Sequence, residues 1–327
     1  MENSKKVQSS QSGFSKITKS TTFFIVLFII AYAIFLSIRS ENFLTSYNIG
    51  IILRQMSFIG TAALGQTLVL IIGGIDLSVG STARLSGILF ASMIVLSDID
   101  PFVAMILALL VGMGIGYASG LIITKFRLTP FIVTLAMSEI CFGAVLVITE
   151  GSTISGISGP ILQIGQGMVG AIPVPIIIFV VLAIFLTYIL RSTPFGRELF
   201  AIGGNASAAR LVGIPVQRKT RTVYMLSGLL SALGGVMIAC RYNSGQPTIG
   251  GTWVMSSITA AVIGGTSMNG GVGSMLGTVV GTLLMTILSN SIVILNVSQY
   301  WEQVMTGTVV LVAVVIDAVR MWKRRPA

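Results

Sequence analysis

Histidine is absent from this sequence, and only two cysteines and ten acidic residues occur among its 327 residues. Without histidine the chain lacks the commonest proton shuttle and metal ligand. Cys141 and Cys240 lie in apolar segments without metal or redox spacing, which predicts buried small side chains. Paired acids and a Ser/His couple are missing too, which argues against a membrane-embedded hydrolase or transferase. The Gly-x-x-x-x-Gly-Lys-Ser/Thr motif is also absent, so the chain does not use ATP by itself.

Charge is scarce and apolar residues dominate. Charged residues make up 9% of the chain and hydrophobic residues 54%, whereas soluble proteins carry about 25% charge. Because a membrane span needs about 20 apolar residues, the sequence predicts an all-α polytopic membrane protein with about ten transmembrane helices. The predicted spans are 22–38, 48–72, 79–97, 101–122, 130–149, 174–190, 222–241, 253–267, 273–294 and 301–320. The span 253–267 is short, and it either crosses fully or is re-entrant.

The net charge of +10 has a pattern that predicts orientation. With the N-terminus inside, only Arg39 and Arg241 fall in external loops, while Arg54 and Arg84 lie within helices. The other sixteen basic residues fall inside, so both termini are predicted to be cytoplasmic. The domains are then an N-terminal tail (1–21), one transmembrane domain (22–320) and a C-terminal tail (321–327). These basic positions suit membrane lipid and not nucleic acid.

Residues 191–221, RSTPFGRELFAIGGNASAARLVGIPVQRKTR, interrupt the apolar runs with six basic residues and one acid, Glu198. Their charge predicts a cytoplasmic loop, and the content of Gly and Ala indicates short helices that present a face to a partner. On the other side, residues 150–173 are rich in Gly, Ser and Pro. They predict an external loop or a short amphipathic segment, which is a plausible docking face for an external partner.

Small residues at four-residue spacing predict close helix packing within the membrane. The two sets are Gly112, Gly116 and Gly120, and Gly273, Gly277 and Gly281. A weak internal repeat is also visible, because LIIGGIDLSVGS (70–81) is similar to AVIGGTSMNGGVGS (261–274). Gly-rich breaks in corresponding halves are typical of transport sites.

Ionisable residues in or beside the spans are candidates for the transport pathway. Asp76 follows Gly73 and Gly74, which would end the preceding helix. Its carboxylate either caps the next helix through Val79 or a neighbouring N–H, or it contacts solute. Glu139 is the one acid well inside a predicted span, and Arg84 could pair with either acid. A single buried Glu without histidine fits a proton-coupled carrier poorly.

Polar side chains in the spans form a second set with two open interpretations, which are bonds between helices and bonds to a polar solute. Its members are Gln55, Gln66, Thr134, Asn290, Ser291, Asn296 and, in the turn NSGQPT, Gln246.

Four blocks together resemble the ribose-type sugar ABC importer permeases, which also serve galactose, xylose, allose and autoinducer-2. They are GGIDLSVGS (73–81), KFRLTPFIVTLAM (125–137), TPFGRELFAIGGNASAARLVGIPV (193–216) and SITAAVIGGTSMNGGVGSMLGTVVGTLL (257–284). The resemblance extends from about residue 20 to residue 320.

This resemblance implies a multi-pass protein of the bacterial inner membrane that forms the pathway for a monosaccharide or a similar small polar solute. It implies three partners: a cytoplasmic ABC ATPase, an extracytoplasmic solute-binding protein, and a second permease subunit, identical or related. ATP and Mg would bind the ATPase, with no cofactor in this chain, which would not itself be an enzyme. The residues that match the ATPase-coupling block are Pro194, Phe195, Gly196, Arg197, Gly203, Gly204, Asn205, Ala209, Arg210 and Gly213. Arg197 and Arg210 would pair with acids of the ATPase.

The chain departs from the family pattern at two places near the expected pathway. Val254 and Ser256 stand where many relatives have Glu and Asp, and Arg84 stands where relatives have apolar or small residues. Pathway or gating candidates are therefore Gly73, Gly74, Asp76, Ser78, Arg84, Thr134, Glu139, Gln246, Val254 and Asn290. The alternative function is an ATP-independent channel or secondary carrier, which would have no use for a coupling loop.

Overall fold

Helices dominate the structure, a computed structural model that describes residues 21–298 and 300–324. They are α1 (Thr21–Arg39), α2 (Ser46–Ile71), α3 (Val79–Val95), α4 (Pro101–Phe126), α5 (Pro130–Thr149), α6 (Gln163–Gln166), α7 (Val174–Ser192), α8 (Pro194–Gly204), α9 (Ala206–Leu211), α10 (Val216–Tyr242), α11 (Trp253–Ile263), α12 (Met275–Ile294) and α13 (Trp301–Arg324). Of the predicted tails 1–21 and 321–327, residues 1–20 and 325–327 lie outside the described residues, whereas Thr21 begins α1 and residues 321–324 belong to α13.

The predicted all-α polytopic membrane fold is confirmed. Five helices are long and apolar enough to cross a membrane by length and composition, namely α4, α5, α7, α10 and α12. The full number of spans and the side on which the termini lie stay predictions. Helix α11 has 11 residues, which is about 16 Å and roughly half of a bilayer core. Thus the helical part of 253–267 is too short to cross by itself.

Helix α10 lies at the centre of the molecule, packed between α2, α3 and α4. Its most apolar stretch is 72% buried, whereas that of α5 is 22% buried and lies at the periphery. Gly112, Gly116 and Gly120 of α4 all face α10. A Cβ atom at Gly112 would lie 2.7 Å from the Gly228 carbonyl oxygen. Side chains at these positions would separate the two backbones, which is why glycine permits this contact.

A second close contact joins α11 to α12. Gly277 lies against the backbone of Gly264, and Gly281 lies against the backbone of Ala260. Gly273 precedes α12 and faces the side chain of Ile71, whose Cγ1 would lie 2.5 Å from an added Cβ. The second glycine set therefore packs α12 closely against α11 and places the end of the second Gly-rich segment, at Gly273, against α2.

The helix ends define two sides of the molecule. At one, which we call the basic end, α8 and α9 lie beside the end of α2, and Arg221 Nε donates to Thr124 Oγ1 at 2.7 Å. At the opposite end lies the connection 150–173, with a 3-10 turn (Pro160–Leu162), α6 and a hairpin of β2 (Met168–Val169) and β3 (Ile172–Pro173). There β1 (Ile154–Ser155) pairs antiparallel with β4 (Ser244–Gly245), Ile154 facing Gly245. Cys141 and Cys240 are both unpaired and buried, as predicted.

Candidate functional site

Two short helices, α8 and α9, fill the basic stretch at residues 194–211. Thr193 caps α8 by accepting the Gly196 N–H at 3.4 Å, and Pro194 occupies the first turn, where its missing N–H costs nothing. Asn205 caps α9, since its Oδ1 accepts the N–H groups of Ser207 and Ala208 at 3.0 Å each. Gly213 then ends α9 at a φ of 86°. Local capping thus fixes both helices.

One surface of these helices is exposed and mixes basic with apolar side chains. Arg197 and Arg210 are exposed, while Leu211 and Val212 are 89% and 77% exposed. The single acid of the stretch, Glu198, is already paired with Lys219 at 2.6 Å. Lys219 also lies over the ring of Phe195, 5.0 Å from its centre. The exposed tip therefore offers two arginines and two large apolar side chains to another molecule.

The opposite surface of α8 and α9 is buried in the molecule, and its buried residues are Gly196, Leu199, Ile202 and Ala209. Pro194 is exposed and Phe195 half-buried, so Pro194 lies on the outer side with Arg197, Gly204 and Asn205. The ten residues of the coupling block therefore divide between an inner face and an outer face.

Gly203 joins α8 to both halves of the weak repeat. Any side chain there would collide with the Ile71 carbonyl oxygen and the Gly271 nitrogen. The same two groups bond to each other, since the Gly271 N–H donates to the Ile71 oxygen at 2.9 Å. The loops 72–78 and 264–274 thus meet where α8 touches them, although nearly 200 residues separate them in the sequence.

Asp76 lies buried in the first of these loops, with 1% of its surface exposed. Its Oδ1 accepts the Ser78 N–H at 2.9 Å and the Ser78 hydroxyl at 2.6 Å, and its Oδ2 accepts the Ser227 hydroxyl at 2.8 Å. The carboxylate precedes α3 and bonds Ser78, not Val79, because two-residue spacing favours an Asx turn. The two bonds to Ser78 fix the turn within the loop, and the bond to Ser227 holds the loop against α10.

Two further side chains hold the same loop. Thr134 Oγ1 accepts the Leu77 N–H at 3.1 Å, and the Tyr224 hydroxyl donates to the Ile75 oxygen at 3.3 Å. Gly73, at a φ of 76°, and Gly74 end α2 with bonds to the carbonyls of Leu70 and Val69, as their sequence indicates. The loop is therefore fixed by α5, α10 and the end of α2.

Arg84 bonds a backbone group and no carboxylate among the described residues. Its Nε donates to the Ile249 carbonyl at 2.6 Å, and its guanidinium lies 4.6 Å from the centre of the Phe142 ring. Gln246 lines the same narrow cleft and donates to Ser244 Oγ at 3.1 Å. The predicted pairs of Arg84 with Asp76 or Glu139 are wrong, because the chain between β4 and α11 dips inward and supplies a carbonyl instead.

A cavity of about 400 Å³ lies near the opposite end, between α2, α10, α11, α12 and α13. Its wall combines charged, amide and aromatic side chains, among them Asn48, Arg54, Gln55, Phe58, Arg241, Trp253, Asn290 and Glu302. Asn290 and Asn48 exchange two amide hydrogen bonds of 2.9 and 3.2 Å. Such a wall suits a small polar solute with apolar faces.

The remaining candidates are dispersed. Glu139 is exposed on α5 and does not line the cavity. Val254 is half-buried and packs with Trp253 and Leu70. The structure thus brings Gly73, Gly74, Asp76, Ser78 and Thr134 together at the basic end and places Asn290 in the cavity wall.

Several residues that sequence reasoning missed are important in this arrangement. Ser227 and Tyr224 hold the Asp76 loop, and Phe58 and Trp253 line the cavity. Only the aromatic character of Trp253 at the start of a short apolar segment offered a signal. Ser227 has none, since a serine in an apolar helix most often bonds its own backbone.

Comparison with known proteins identifies one family. A family model described as branched-chain amino acid transport system, permease component, matches residues 48–314. The chain is 43% identical to the ribose import permease protein of Bacillus subtilis (strain 168) over 296 residues, covering 90% of this chain and 91% of that protein. It is 38% identical to the ribose import permease of Escherichia coli (strain K12), covering 86% and 88%.

The D-allose transport system permease protein of Escherichia coli (strain K12) is 35% identical over 300 residues, covering 91% of both chains. No solved structure matches the chain.

Proposed function

This chain belongs to the family of ribose-type ABC importer permeases, and on that premise we propose that it forms the membrane path of a bacterial importer. The solute is a monosaccharide or a similar small polar molecule, and the location is the inner membrane. The domain is the single permease unit 22–320 with short cytoplasmic tails. The relatives named above import ribose or D-allose, which supports the sugar class.

A separate cytoplasmic ATPase drives transport by binding α8 and α9. The observation that carries this proposal is the junction at Gly203, where the helices with the exposed tip contact both Gly-rich loops. A rigid displacement of α8 must therefore move the Asp76 loop and the loop 264–274, since their backbones are in direct contact. Arg197 and Arg210 would meet acids of the ATPase, which fits the absence of a free acid on the tip.

The cavity at the opposite end supplies the entrance of the path. Its amides and arginines can bond hydroxyl groups, and Trp253 and Phe58 can cover the apolar face of a sugar ring. An external solute-binding protein docks on this side, where the mostly exposed connection 150–173 forms part of the surface.

A second permease subunit covers the outer face of α5. Glu139 is exposed near the middle of this helix, and a charge in contact with lipid there costs about 3 kcal/mol or more. A polar or charged group of a neighbouring subunit would remove that cost.

Uptake of radiolabelled sugars by cells that express the complete importer tests the proposal. We expect uptake to stop when cellular ATP is depleted while the membrane potential is maintained. Uptake that follows the potential or a solute gradient and ignores ATP would instead identify a secondary carrier or a channel.

A further inference from the structure

Gln66, in the C-terminal third of α2, is a polar side chain in an unusual environment. Its side chain is fully buried, yet neither its amide nitrogen nor its carbonyl oxygen has a hydrogen-bond partner among the described residues. Buried amides in folded proteins are nearly always bonded. Thr67, the next residue, follows this rule, since its hydroxyl donates to Ala63 and meets Thr278 Oγ1 at 2.6 Å. The interface of α2 with α12 is therefore satisfied, and the Gln66 face is not.

The direction in which Gln66 points follows from helix geometry. Residues 55, 62 and 66 of α2 fall within about 40° of one another around the helix axis, because each residue advances by about 100°. Gln55 lines the cavity, and Ala62 packs with Phe58 and Trp253. Gln66 thus lies on the cavity side of α2, about 16 Å further toward the basic end than Gln55.

Apolar side chains lie on both sides of Gln66 along this face. Toward the opposite end, Phe58 and Trp253 form the inner wall of the cavity. Toward the basic end, one turn further along α2, Leu70 packs against Ile258, Ala261 and Val262 of α11, with Ile75 and Leu77 beside them. Gln66 is the polar group between the cavity and this apolar closure.

We propose that Gln66 is an inner binding position for the transported solute, occupied after the solute passes Phe58 and Trp253. This rests on the proposed function and names the chemistry of one step. A carboxamide has two donors and an acceptor without charge, so it matches vicinal hydroxyl groups, each of which donates and accepts. The position therefore selects a neutral polyhydroxy compound, and a carboxylate or an ammonium ion would leave half of the amide unmatched.

The decisive variant is Gln66→Leu, which keeps the volume and removes both polar atoms. Because the amide bonds nothing in the described structure, we expect the thermal midpoint of purified Gln66→Leu to equal or exceed that of the wild type. Uptake at limiting solute should fall at least tenfold. Thr67→Val is the matched control: it removes bonded polar atoms one residue away, so it should lower the midpoint and leave uptake per inserted protein unchanged.

The probes are radiolabelled ribose, allose and arabinose, tested with the complete importer in cells. Normal uptake by Gln66→Leu of a sugar that the wild type transports would overturn this inference alone. So would a loss of uptake together with a fall in midpoint as large as that of Thr67→Val, because Gln66 would then be a structural amide. A wild type that transports none of these sugars or other neutral sugars would overturn the proposed function, and this inference with it.

Discussion

The exposed tip of α9 gives the sharpest test of coupling, through the double substitution Leu211→Ala with Val212→Ala. The two side chains are 89% and 77% exposed and contribute little to the fold of the chain. Their truncation should therefore change the stability of the permease by no more than about 0.5 kcal/mol. If an ATPase buries them, the truncation removes five carbon groups from the interface.

The magnitude follows from the area that docking would bury. Five groups at about 0.8 kcal/mol each give about 4 kcal/mol when both side chains become fully buried, and about 2 kcal/mol when half of their surface does. Since 1.4 kcal/mol is tenfold in an equilibrium constant, we expect the affinity for the ATPase to fall by a factor between about 30 and about 1000.

The assay is titration of the detergent-solubilised permease with the ATPase that co-purifies with the wild type, combined with thermal unfolding and uptake. The matched control is Val169→Ala with Ile172→Ala, whose side chains are 61% and 52% exposed at the opposite end. The control should bind the ATPase as the wild type does. Unchanged affinity in the tip variant, or an equal loss in the control, would refute the assignment of α9 as the docking element.

Three further predictions concern the junction, the buried acid and the outer face of α5. Gly204→Arg should insert normally, because an added Cβ there has open space, and it should lose ATP-dependent uptake, because residue 204 lies on the outer side of α8. Gly203→Ala should lower the thermal midpoint, because its Cβ collides with backbone. A lower midpoint for Gly204→Arg with an unchanged midpoint for Gly203→Ala would contradict the junction. Asp76→Asn should impair uptake more than expression. An amide cannot accept all three hydrogen bonds and places a donor where an acceptor is needed, which costs about 1–3 kcal/mol of free energy in the loop. Equal losses of uptake and expression would favour a purely structural cap. Glu139→Cys should form a cross-linked permease dimer in membranes, and labelling by lipid-soluble reagents without any cross-link would contradict the proposed subunit contact.

The sequence predicted most of the helices because their ends carry strong local signals. Asp100 caps α4 by accepting from Phe102 and Val103, with Pro101 in the first turn, and Pro130 opens α5 in the same way. The sequence showed that the segment 253–267 is short but left open whether it crosses the membrane, and the structure ends α11 at Ile263, before the turn at Gly264 and Gly265. Hydropathy detects apolar residues and does not detect the end of a hydrogen-bonded helix.

The site was less predictable than the fold, for two physical reasons. The partner of Arg84 is the carbonyl of Ile249, 165 residues away, and a backbone carbonyl has no sequence signature. The exposure of Glu139 was hidden because a membrane helix is apolar on its lipid face and on its protein face alike, so periodicity does not distinguish them. Glu139 therefore looked like an interior acid, although α5 presents it outward.

If an ATPase acts on α8 as proposed, the positions of the cavity and of the apolar closure indicate which step it would drive. At the opposite end the cavity already exists, with about 400 Å³ of space. At the basic end, Leu70, Ile258 and Val262 pack into an apolar cluster with side chains of the Asp76 loop, and this cluster would close the proposed path. Helix α8 contacts this end of the pathway through Gly203, which lies against Ile71 and Gly271, and through Ile202, which packs with Ile72. Force applied to α8 would therefore act on the inner closure and not on the entrance. We accordingly expect nucleotide to control release of the solute to the cytoplasm more directly than its entry.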